Sequence, residues 1–96
     1  MDERAKLTEE AQRGESARQL MENPLFVEAV QTVESRIVEA MRQCDTQSRD
    51  QHQTLILSLQ LLGQITKHIR TVADTGRMAE IQLRKPLRER VRAVFR

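Results

Sequence analysis

Apolar residues along this chain recur in two runs, each stepping by three or four residues. Phe26, Val30, Val33, Ile37 and Met41 form the first, and Leu55, Leu59, Leu62, Ile65, Ile69 and Val72 the second. Such spacing brings side chains to one face of an α-helix. Between the runs, Cys44-Asp45-Thr46-Gln47-Ser48 holds no apolar residue beyond the cysteine and several side chains suited to start a helix. The pattern predicts a helical hairpin, and a hairpin offers a partner a surface rather than enclosing a site for chemistry.

Punctuation sets the expected boundaries. Asn23-Pro24 is the clearest break, because proline disfavours helical geometry before it while asparagine caps and proline opens the helix that follows. A short helix over 15–22, with Ala17, Leu20 and Met21 on one face, is therefore expected to end near Glu22, and a longer one to span 24–43. The next should run over 48–75, with Thr75-Gly76 as its stop. Residues 1–14 are polar, with Leu7 the only large aliphatic after Met1, and read as a mobile segment closed by Gly14. The chain thus divides into 1–14, a hairpin domain over 15–76 and a basic extension over 77–96. The expected fold class is all-α: a long antiparallel helical hairpin with a short N-terminal helix and a basic C-terminal extension.

The second stripe is wide. With Leu61 at one edge and Leu57 further round, it covers about 160° of the helical wheel, where one packed face needs about 100°. One reading is a generous core covered by the short N-terminal helix. The other is a self-association or partner interface through Leu57, Leu61, Ile65 and Val72. Composition favours the second. Ninety-six residues make one domain, and Trp and Tyr are absent, so the core is built from Leu, Ile, Val, Met and Ala. So small a core stabilises weakly, and a homo-oligomer covers what a two-helix hairpin leaves open.

Charge is divided unevenly. Residues 1–66 hold 7 Lys/Arg against 11 Asp/Glu, and residues 67–96 hold 9 against 3. The basic end carries Arg84, Lys85, Arg88, Arg90, Arg92 and Arg96, with Leu87, Val91 and Val94 at helical spacing among them. An amphipathic basic segment of this kind docks on an acidic protein surface or contacts DNA phosphates. Only Phe95 could stack on a base, and no base-reading motif is present.

Catalytic and cofactor chemistry has little to work with. His52 and His68 stand sixteen residues apart without ligand-spaced neighbours, and the three glycines are isolated rather than gathered in a phosphate loop. Glu9-Glu10 has no pocket to raise a carboxyl pKa. The expectation is a non-enzymatic protein without cofactor or metal. A single cysteine, Cys44, excludes an intrachain disulfide. With no apolar span and no signal-like start, the chain reads as soluble and intracellular, away from the membrane.

The segment Ala17-Arg18-Gln19-Leu20-Met21-Glu22-Asn23-Pro24-Leu25-Phe26, the polar break and the Leu-rich helix ending His68-Ile69-Arg70-Thr71-Val72-Ala73-Asp74-Thr75-Gly76-Arg77-Met78-Ala79 resemble small helical-hairpin proteins encoded by tailed bacteriophages. The resemblance covers residues 17–79 and rests on capping and packing residues. It implies a non-enzymatic virion or assembly component, such as a minor capsid or connector-associated protein, placed in the host cytoplasm or the virion. The alternative is a small DNA-packaging subunit, a ring of hairpins whose basic tails contact DNA. The resemblance carries no role for residues 84–96.

Overall fold

The computed structural model describes residues 2–85 and is all-α there, with three helices: α1 (Glu3–Glu22), α2 (Pro24–Gln43) and α3 (Arg49–Arg84). The chain divides into two compact units. One joins the N-terminal stretch through Gln19 to the chain from Ile69 onward, and the other is Leu20–His68.

The Leu20–His68 unit contains the hairpin that the two apolar runs predict. Asn23, extended at φ −69° and ψ 119°, caps α2: its side-chain oxygen accepts from the backbone N–H of Leu25 at 2.9 Å and of Phe26 at 3.2 Å. Pro24 follows at the first helical position, where its missing N–H removes no helical bond. At the other end Cys44 is extended, and Asp45 Oδ1 accepts from Gln47 N–H at 3.0 Å, turning the chain toward α3. The seam is thin. Phe26, Val30, Ile37 and Met41 of α2 and Leu55, Leu59 and Leu62 of α3 are only half-buried, and no residue of this unit is fully buried. Val33, expected on the packed stripe of α2, is exposed, while Val38, outside that run, is half-buried.

The other unit corrects two expected boundaries. Helix α1 begins at Glu3 and passes straight through Gly14, so no break separates residues 1–14 from a later short helix. Asp2 supplies its start, its carboxylate accepting from Arg4 N–H at 3.0 Å and its carbonyl from Lys6 N–H at 3.3 Å. Likewise α3 does not stop at Gly76 but runs on to Arg84, and no described glycine has a positive φ. The reason is packing. A Cβ built on Gly14 would overlap the Gly76 Cα and lie 3.1 Å from the Val72 carbonyl oxygen. One built on Gly76 would overlap the Gly14 Cα and lie 2.9 Å from the Glu10 carbonyl oxygen. Here α1 and α3 cross backbone to backbone, and both glycines serve the close approach rather than a helix end. Ala17 and Ala79, 8% and 2% exposed, extend the crossing by one turn and are the buried hydrophobic residues of the described chain.

Candidate self-association surface

The outward side of the first half of α3 carries the surface. Leu57, Leu61 and Ile65 are 54%, 49% and 56% exposed, and they follow one another at four-residue intervals along one stripe of the helix. These three candidate residues are brought together. Val72, the fourth, belongs to the other unit, where it is half-buried and its carbonyl lies against Gly14. Leu62, one residue from Leu61, turns inward and is half-buried, so neighbours in sequence divide between seam and surface.

Residues that periodicity alone did not single out complete this stripe. Asp50, Thr54, Leu57, Leu61, Gln64 and His68 alternate by four and three residues and are all exposed. That is the seam spacing of a coiled coil, with Ile65 widening it on one flank. A legible signal marks the same stretch: from Gln51 to Thr66 no Lys, Arg, Asp or Glu occurs, although charged residues make up 31% of the chain. Interface centres lack charge in the same way.

The hydroxyls of the stretch are turned back on their own helix. Thr54 Oγ1 donates to the Asp50 carbonyl at 2.9 Å, and Ser58 Oγ donates to the Thr54 carbonyl at 2.8 Å. With those hydroxyls satisfied, covering the stripe leaves fewer unmet donors than its composition suggests. Gly63 lies on another side of α3, and a Cβ there would meet nothing within 4 Å.

Elsewhere the described residues offer little for chemistry. They contain no group of three or more His, Cys, Asp or Glu able to hold a metal ion. Cys44 is free and half-buried, with its sulfur 3.7 Å from the Asp45 carbonyl oxygen. His52 is half-buried and His68 exposed. Of the basic candidates, Arg84 is the exposed last residue of α3 and Lys85 is half-buried just beyond it. Arg88, Arg90, Arg92 and Arg96, together with the amphipathic segment expected around them, lie outside the described residues. No helix of the described chain is long and apolar enough to cross a membrane.

Comparison of the chain with protein-family models, with curated proteins and with solved structures finds no match.

Proposed function

We propose that this chain is a non-enzymatic oligomerising or docking protein, and that it serves as a tailed-phage virion or assembly component, of the minor capsid or connector-associated kind. The observation that carries the first half is the exposed, charge-free apolar stripe of Leu57, Leu61 and Ile65 beside a hairpin seam that buries no side chain fully. A two-helix layer has too little depth to bury a leucine, and a further helical layer supplies it. The phage assignment rests on the resemblance over residues 17–79.

The DNA-packaging subunit is the second reading, favoured by the excess of Lys and Arg from Lys67 onward and by the exposed Arg84 at the end of α3. In that reading the stripe still joins copies and the basic end meets phosphate.

Sedimentation with and without duplex DNA at two salt concentrations tests both. The oligomerising reading expects an assembled species at tens of micromolar whether DNA is present or not. Co-sedimentation with DNA that fades as salt rises favours the packaging subunit. A monomer in every condition overturns self-association.

A further inference from the structure

We infer that the outward stripe of α3 is covered by the same stripe of a second copy, running antiparallel, so that Asp50 of each copy meets His68 of the other. This rests on the self-association proposed above and adds the occupant and its direction.

Three observations carry it. Asp50, Thr54, Leu57, Leu61, Gln64 and His68 form one exposed seam with coiled-coil spacing, so a straight helix can lie along it. The interior of the seam has no charge from Gln51 to Thr66. In a two-fold interface each residue near the axis meets its own kind, and a charge there would face a like charge. A neutral, leucine-centred stripe is what such an interface tolerates.

The third observation is at the ends. Asp50 and His68 stand 18 residues apart, about five helical turns, and therefore on the same side of α3. One is an acceptor-only carboxylate and the other an imidazole with an N–H to donate. Antiparallel pairing joins acceptor to donor at both ends and sets Leu57 against Leu61 across the axis. Parallel pairing opposes carboxylate to carboxylate at one end and sets imidazole against imidazole at the other, so neither carboxylate meets a donor.

The test measures distances between spin labels on identical positions of the two copies, in a Cys44→Ser background carrying either Gln51→Cys or Gln60→Cys. Both glutamines are exposed and lie off the leucines of the stripe. Antiparallel pairing places the Gln51 labels about 25 Å apart along the axis at 1.5 Å per residue, and the Gln60 labels about one interhelical spacing apart, roughly 10 Å. Parallel pairing gives short distances at both positions. A dimer with two short distances, or with neither short, overturns this inference and leaves self-association standing. A monomer at tens of micromolar overturns both.

A charge exchange supplies the second measurement. Asp50→His should weaken the dimer about tenfold, and Asp50→His with His68→Asp should restore it. Failure of the exchange to restore affinity, with helicity intact, removes the Asp50–His68 pairing and with it the assigned direction.

Discussion

Gly14 and Gly76 face each other across the crossing of α1 and α3 with no room for a methyl group on either. Backbone meets backbone there, so no flexible side chain can move aside. Overpacking costs about 1–3 kcal/mol, against about 1 kcal/mol regained by replacing glycine with alanine inside a helix. Gly14→Ala and Gly76→Ala should each destabilise by up to about 2 kcal/mol net. The double variant should cost less than the sum, because one widening of the crossing accommodates both methyl groups. Chemical denaturation followed by circular dichroism checks the three values.

Gly63→Ala should do the opposite. Its added Cβ meets nothing within 4 Å, so only the helix preference changes, and stability should rise by about 1 kcal/mol. A loss of stability at this position would mean that the open side of α3 is occupied in solution, and sedimentation of the same variant would show by what.

Removing the cap of α2 should be felt locally. Asn23→Ala leaves the Leu25 and Phe26 N–H groups without their acceptor and should cost about 1 kcal/mol. Asn23→Asp keeps an acceptor beside the positive helix end and should be close to neutral. Hydrogen exchange at Leu25 and Phe26 reports the difference directly.

Leu57→Glu and Leu61→Glu should lower the oligomeric state while helicity is largely kept, because both side chains already stand in water in the isolated chain. Leu62→Glu should instead lower helicity, since Leu62 belongs to the half-buried seam. Sedimentation and circular dichroism on the same samples separate the two effects.

Truncation after Lys85 removes Arg88, Arg90, Arg92 and Arg96 against one acid, Glu89, and leaves the three helices of the described residues whole. Helicity and self-association should survive. If the wild-type chain binds DNA through these arginines, the logarithmic salt slope should fall by about 0.9 for each phosphate that is no longer neutralised. An unchanged slope would assign DNA binding to the basic residues that remain.

How much of this was legible in the sequence depended on the size of the side chains at each junction. The hairpin of α2 and α3 is written in large aliphatics at helical spacing, and the Asn23 cap in a pair of residues with one physical meaning. The α1–α3 crossing is written in Gly14, Ala17, Gly76 and Ala79, which leave no trace in a pattern of large apolar residues. Glycine read alone is a helix breaker, and only the position of the facing glycine turns it into a packing element. Asp2 caps α1 in the structure, but with little apolar periodicity after it that helix leaves no signal in large side chains. On the surface, Leu57 and Leu61 stood out by excess breadth of the stripe, whereas Ile65 belongs to the central run by spacing and is exposed all the same. Val72 shared their spacing yet packs against α1, because the wheel shows angle and not which helix arrives there.

The glycine crossing also sets an order of events. About sixty residues separate Gly14 from Gly76, and closing so long a loop costs entropy that the five-residue turn between α2 and α3 avoids. The hairpin can therefore zip from its own turn while α1, made before it, still lacks the glycine it must meet. Until that glycine is made, α1 waits on the far end of α3.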